Sequence, residues 1–439
     1  MLSRRNFLLM SAATLVVVGV PACARSGVGQ ARQASAITEV FGDGIRLTAV
    51  AVEYSAPVEG TTLSTAAFEV EGRTLVEAFA STSADPADRA ESGRFVILAL
   101  SPDDADAPLA QQRARGQGNG TGTRDGGGGP GGPGGGPGKA GSRTSDSPVY
   151  RAPTASLLLA DGETLATRAV KNLIVDDFRQ LAFHDPRTGD RLQYNLFVPR
   201  DYDPQQSYPL VLFMHDAGAT SDDPFATLFQ GLGAIVWASP EDQARRPCFV
   251  LAPQFAEIIA DDDSRTSSML DTTIDLIEAL ANQYSIDRKR LYTTGQSGGC
   301  MMSIAMDIKY PDFFAASFLV AGQWDPALVQ PLARQKLWIL VSQDDDKAYP
   351  GQNAITEVLE AEGARISRAT WDGTWNAEQY RAAFEKIDAE GSPINYVSFA
   401  KGSVLPPGDS GAGASGHRNT WRIAYGIEPI REWIFRQHG

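Results

Sequence analysis

The segment Gly295-Gln296-Ser297-Gly298-Gly299 constrains this chain more than any other. It lies between an apolar run, Arg290-Leu291-Tyr292-Thr293-Thr294, and a run with helical spacing, Met301-Met302-Ser303-Ile304-Ala305-Met306. A strand passing straight into a helix through G-x-S-x-G must turn so sharply that only glycine fits beside the serine, whose hydroxyl then stands at the tip. A chain with 43 glycines produces the bare pattern by chance. Its weight therefore rests on the flanking strand and helix, and both are present.

A serine hydroxyl needs a general base, usually a histidine oriented by a carboxylate. For an elbow serine the order along the chain is Ser, then Asp or Glu, then His. Of four histidines, His184, His215, His417 and His438, two follow Ser297. His438 is penultimate, and a frayed terminus rarely holds a catalytic base. His417 stands in Ser415-Gly416-His417-Arg418-Asn419-Thr420-Trp421, read as a Gly-rich loop before the last helix. The acid should follow the continuous apolar run Leu337-Trp338-Ile339-Leu340-Val341, a strand buried on both faces. That run empties into Ser342-Gln343-Asp344-Asp345-Asp346-Lys347-Ala348-Tyr349-Pro350, where three consecutive aspartates leave the choice open. The alternating spacing of a calcium loop is absent here and at Asp261-Asp262-Asp263, and no metal site is expected.

The remaining patterns suit a mostly parallel sheet. Arg179–Phe183 and Leu192–Phe197 flank a hairpin turn, and Tyr208–Met214, Cys248–Gln254, Phe314–Gly322 and Ile394–Phe399 read as strands. Leu270–Leu280 recurs at i, i+3, i+4 and reads as the helix before the elbow strand. Strands alternating with helical runs define an α/β class. Cys248 and Cys300 have no metal-ligand neighbour at short spacing and are expected as free, buried thiols.

The N-terminus reads as an address. Ser3-Arg4-Arg5-Asn6-Phe7-Leu8 is a twin-arginine motif followed by an apolar run too short for a typical membrane span. Residues 1–24 are expected to be the signal. Val20-Pro21-Ala22-Cys23 resembles a lipobox with Cys23 as lipidation candidate, while Ala22-Cys23-Ala24 would serve an ordinary cleavage. The protein is thus expected to be exported, either lipid-anchored at the cell surface or secreted. A formal charge of −14 argues against nucleic acid or anionic lipid as partner.

Between signal and α/β region, Ile45–Tyr54, Ala67–Gly72 and Arg94–Leu100 are short, β-rich and separated by turns. They suggest a small β-sandwich over 36–175. A Gly-rich stretch at about 116–147 interrupts it and lacks the apolar residues to order itself. Strand-like Thr154–Leu159 follows, so the stretch reads as an insertion within the sandwich.

Residues 178–439 resemble the α/β-hydrolase superfamily. Within it the chain resembles bacterial esterases with an N-terminal immunoglobulin-like domain, relatives of polyhydroxybutyrate depolymerases and prolyl oligopeptidases. In that group H-x-x-(S/T)-W-x-x-A-Y carries the base, matched here by His417-Arg418-Asn419-Thr420-Trp421-Arg422-Ile423-Ala424-Tyr425. A strand ending in H-G-x-x-D-x-x-V-P supplies the acid, which the resemblance puts at Asp346. Ser342 and Gln343 replace the usual His-Gly, so Asp345 stays as second choice. The resemblance also implies an oxyanion hole from the Gly298 N–H and from the loop His215-Asp216-Ala217-Gly218. There Asp216 replaces a usual glycine, and Asp216 or Ala217 would donate, with the Asp216 side chain turned away and His215 bracing the loop.

These features imply a serine carboxylesterase with Ser297, His417 and Asp346 as its triad and no cofactor. The alternatives are a serine peptidase of the prolyl oligopeptidase kind and a surface lipoprotein that binds without catalysis. Gln254, Phe255, Trp324, Trp371 and Trp375 are pocket candidates by loop position. Acyl and alcohol specificity and oligomeric state have no readable code.

Overall fold

The computed structural model describes residues 29–111, 138–144, 147–159, 161–409, 411 and 414–439. The expected signal, Cys23 and most of the Gly-rich stretch lie outside the described residues. No helix among the described residues is long and apolar enough to cross a membrane.

The N-terminal unit is all β: β1 (Ala31–Phe41), β2 (Gly44–Glu59), β3 (Phe68–Val70), β4 (Leu75–Ser81), β5 (Ser92–Leu100), β6 (Ser156–Leu159) and β7 (Thr164–Asn172). Their hydrogen-bonded order is β3-β6-β7-β1-β2-β5-β4. β7 changes partner along its length, since Thr164–Ala166 pair antiparallel with β6 and Thr167–Asn172 pair parallel with β1. It thereby joins two ladders, and the alternating side chains of β2 and β5 (Val50, Val52, Val96, Leu98) share a core with Val70, Leu157 and Leu159. The other face of these strands and of β1 and β4 buries Ile37, Ala49, Ala51, Phe79 and Ile97. β1, β4 and β7 are not among the strands expected from the sequence. β7 is largely exposed and carries no apolar alternation, so its strand state depends on long-range pairing.

The second unit is built on β8 (Arg179–His184), β9 (Arg191–Phe197), β10 (Tyr208–Met214), β11 (Phe249–Gln254), β12 (Ile286–Gln296), β13 (Ala316–Val320), β14 (Leu337–Ser342), β15 (Ile366–Trp371) and β16 (Ile394–Phe399). The order is β15-β16-β14-β13-β12-β10-β11-β9-β8, parallel apart from β9, which runs antiparallel to both of its neighbours. Every residue of β10, β11, β13, β14 and β16 is buried, as a sheet covered on both faces requires. The cover is α1 (Ala226–Phe229), α2 (Leu232–Ala238), α3 (Pro240–Arg245), α4 (Met269–Gln283), α5 (Gly298–Lys309), α6 (Ala348–Ala361), α7 (Ala377–Asp388), α8 (Ser415–Ala424) and α9 (Glu428–Phe435). Cys248 and Cys300 are buried free thiols.

The two units pack against one another, and two of their contacts are close backbone ones. The β1–β2 turn presses against α8, where a Cβ on Gly42 would lie 2.3 Å from the Arg422 carbonyl oxygen. The second contact corrects the expected lack of order in one part of the Gly-rich insertion, residues 138–144. Residues 138–144 are laid along the loop after β11, with Gly141 N–H donating to Ile258 O at 2.8 Å and Ile258 N–H to Ser142 O at 2.8 Å. Low apolar content predicted no order there, but backbone hydrogen bonds to a neighbouring loop need no side chains.

Candidate active site

The elbow is geometrically tight. Ser297 has φ 51° and ψ −115°, a strained region for a non-glycine residue that costs on the order of 1–3 kcal/mol. Its neighbours hold it there, because Ser297 N–H donates to Val320 O at 3.0 Å and Ser297 O accepts from Met301 N–H at 2.9 Å. The flanking glycines are required by close approach. A Cβ on Gly295 would lie 2.4 Å from the Gly299 carbonyl, and one on Gly299 would lie 2.0 Å from Met214 O. β10, β12 and α5 can meet only because both are glycine.

His417 lies in the first turn of α8, not in a loop. Gly416 makes this packing possible, since a Cβ there would lie 2.4 Å from Asp344 O. His417 Nε2 stands 2.9 Å from Ser297 Oγ and Nδ1 stands 2.5 Å from Asp345 Oδ2. The Trp421 ring, one helical turn on, meets the imidazole edge-on at 4.8 Å between centroids and fixes its plane. The other end of α8 is anchored by Arg431, which donates to Tyr425 O at 2.6 Å and pairs with both oxygens of buried Asp242.

Asp346 is exposed and does not reach His417, which corrects the expected acid. The chain turns after β14, with Asp345 N–H donating to Ser342 O at 3.0 Å, and this carries Asp345 inward. Asp345 is 3% exposed. Its Oδ1 accepts from Lys347 N–H at 3.1 Å and Ala348 N–H at 2.9 Å, capping α6. Burial pushes its carboxyl up, but the His417 contact and those two N–H groups outweigh it and hold the carboxyl below its usual range. Asp344 instead accepts from Gly402 N–H at 2.7 Å.

The Asp216 carboxylate is turned aside, accepting from Gly218 N–H at 2.9 Å and from Gln296 Nε2 at 3.1 Å. A Cβ on Gly298 would lie 3.5 Å from Ala217 N, so the two residues are adjacent. As the first residue of α5, Gly298 has an N–H with no intrahelical partner, and the helix presents its positive end at Ser297. Buried His215 braces this loop: its Nδ1 lies 2.8 Å from Asp216 O and its Nε2 accepts from Phe255 N–H at 3.0 Å. A carbonyl on one nitrogen and an N–H on the other require the neutral Nδ1–H tautomer, and burial lowers the imidazole's basicity further.

Of the pocket candidates, Gln254 is a buried strut. Its Nε2 donates to Ala219 O at 2.9 Å and its Oε1 accepts from Thr227 N–H at 2.7 Å. Phe255 packs against His215, Trp371 is buried against Trp338 and Tyr380, and Trp375 meets Tyr380. Trp324 is buried in the core. Tyr150, Phe225 and Phe229, missed in the sequence, form an aromatic cluster of their own; no local signal brings Tyr150 of the first unit to it.

Fold and site together give an α/β-hydrolase fold preceded by an immunoglobulin-like domain. Residues 33–148 match the family described as the esterase Ig-like N-terminal domain. Acetylxylan esterase A of Emericella nidulans is 28% identical over 156 residues, 31% of this chain and 49% of that protein. Acetylxylan esterase A of Aspergillus ficuum is 30% identical over 105 residues, 24% of this chain and 33% of that protein. The chain thus spans about half, or less, of the length of these curated relatives. The crystal structure of a thermostable esterase superposes with a TM-score of 0.72 at 24% identity, covering 93% of this chain and 100% of that one. This likeness is one of fold, over both units.

Proposed function

We propose that the protein is a serine carboxylesterase acting through an acyl-enzyme on Ser297. The observation that carries this reading is the unbroken line Ser297 Oγ, His417 Nε2, His417 Nδ1, Asp345 Oδ2. Ser297 Oγ attacks the ester carbonyl as its proton passes to His417 Nε2, and the Asp345 carboxylate stabilises the imidazolium. The N–H groups of Gly298 and Ala217 receive the oxyanion, each such donor being worth roughly 2.7–4 kcal/mol. The alcohol leaves with the proton from His417. Water, deprotonated by the same nitrogen, then releases the acid and restores the serine. The names of the two curated relatives favour a small acyl group such as acetyl.

A fluorophosphonate probe with a panel of esters tests the reading. Labelling and ester turnover should both vanish in Ser297→Ala and His417→Ala. Well-folded protein that neither labels nor hydrolyses any ester overturns it, and equal kcat/KM on Xaa-Pro anilides would make it a peptidase.

We also propose export by the twin-arginine route, supported by Ser3-Arg4-Arg5-Asn6-Phe7-Leu8. Replacing both arginines by lysine should retain the protein inside the cell. The mass of the exported N-terminus distinguishes a lipid on Cys23 from a free end.

A further inference from the structure

The N-terminal unit reaches the rim of the active site with one large side chain. Tyr150 meets the Phe229 ring edge-on, centroids 5.1 Å apart, and Phe229 is stacked on Phe225 at 5.3 Å with planes 11° apart. All three rings are only half-buried, so the cluster keeps an open face. It sits against the catalytic machinery through short links. Gln230, next to Phe229, accepts from Gln296 Nε2 at 3.1 Å, and Gln296 precedes Ser297. The same Gln296 nitrogen holds Asp216, next to Ala217. Tyr150 itself feels that loop, for burial and then the Asp216 and Asp223 carboxylates push its phenol well up.

The backbone at Tyr150 is held within its own unit, where it bridges to Ala110 and the Gln111 N–H donates to Val149 O at 2.8 Å. Residues 138–144 before it are docked on the second unit. Gly141 and Ser142 exchange backbone hydrogen bonds with Ile258, Ala140 N–H donates to Asp261 Oδ2 at 3.0 Å, and Arg143 pairs with Asp222 at 2.8 Å. Asp222 lies in the loop that continues from the oxyanion segment. Tyr150 is therefore a fixed part of the rim, delivered from another domain.

We propose that Tyr150, with Phe225 and Phe229, forms an aromatic wall that binds a flat, neutral, apolar group of the ester beside Ser297. This rests on the esterase reading above. Aromatic rings favour stacked or edge-on contact with a planar partner. The nearby carboxylates of Asp216 and Asp223 disfavour an anionic group. The flat group could belong to the acid or to the alcohol, and the two are separable.

The test measures kcat and KM of the full-length protein on ethyl acetate, methyl benzoate and benzyl acetate, for wild type, Tyr150→Leu and Tyr150→Phe. Tyr150→Leu should raise KM for one aryl ester so that its kcat/KM relative to ethyl acetate falls about tenfold. Loss on methyl benzoate places the acid at the wall; loss on benzyl acetate places the alcohol there. Tyr150→Phe keeps the ring and should hold that ratio within about twofold of wild type. Phe225→Leu, altering the wall from the catalytic side, should reproduce the aryl-selective rise should Tyr150→Leu fold poorly. An equal fall on all three esters, or unchanged ratios in both leucine variants, overturns the wall. Wild type that turns over no ester and takes no fluorophosphonate sinks the esterase reading instead.

Discussion

Asp345 Oδ2 stands 2.5 Å from His417 Nδ1, while the carboxyl of its neighbour Asp346 is in solvent. One residue of register decides which aspartate orients the imidazole, and a turn sets that register rather than the strand. Asp345→Asn should lower kcat on a simple ester by about 10³–10⁴, because the amide favours the wrong imidazole tautomer. Asp346→Asn should leave kcat within about twofold. A severe Asp346→Asn with an active Asp345→Asn would show that another arrangement of this loop is the working one.

His215 shares the site without sharing the proton transfer proposed for His417. With Nδ1 at a carbonyl and Nε2 taking the Phe255 N–H, it is locked neutral. His215→Ala leaves that N–H without its partner, at about 1–3 kcal/mol. Thermal stability should drop and kcat should fall about tenfold, with fluorophosphonate labelling of Ser297 retained. The pH profile of the residual activity should keep the wild-type midpoint, measured as log kcat/KM between pH 5 and 9. A displaced midpoint would assign His215 a titrating role.

Asp307 of α5 is buried with one carboxyl oxygen lacking a partner, and burial pushes its carboxyl up to about 7, Ser317 offsetting this only in part. Between the ordinary carboxylate range and about 7, the folded chain holds a proton that the unfolded chain has lost. Stability due to this group therefore falls as pH rises through that window. Asp345, held low, acts in the opposite sense and only at acid pH, where protonation removes its contribution. Asp307→Asn should raise the melting temperature at pH 8 by a few degrees and change it less at pH 5. Equal shifts at both pH values would mean that Asp307 is not protonated in the folded chain.

The elements visible in the sequence are those whose environment is uniform along their length. β10 and β14 are buried on both faces and read as unbroken apolar runs, and the elbow is fixed by two glycines that no side chain can replace. β15 was invisible because an edge strand with Ser367 and Arg368 faces several environments within six residues. Ser415-Gly416 looked like a loop because glycine disfavours helices, yet contact with Asp344 demands glycine in that turn. The aspartate register and the approach of Tyr150 to Phe229 depend on how distant segments meet, and local pattern carries no record of either.

The stretch from Gly116 to Thr144 should divide into two parts by function. Replacing residues 116–137 with a shorter Gly-Ser link should leave the melting temperature unchanged, since halving a flexible loop alters closure entropy by only about 0.6 kcal/mol. Gly141→Pro should behave differently. Gly141 has φ +79° and its N–H donates to Ile258 O, and proline can supply neither that φ nor the donor. Releasing this contact should lower the melting temperature by about 1–2 °C, since loss of about 1 kcal/mol shifts a chain of 150–250 residues by about 2–4 °C and a longer one by less. It should also speed tryptic cleavage after Arg143 several-fold, because docking holds that backbone in one conformation while Arg143 itself is exposed. Unchanged melting and unchanged cleavage in Gly141→Pro would show that residues 138–144 rest on the Ile258 loop without holding to it.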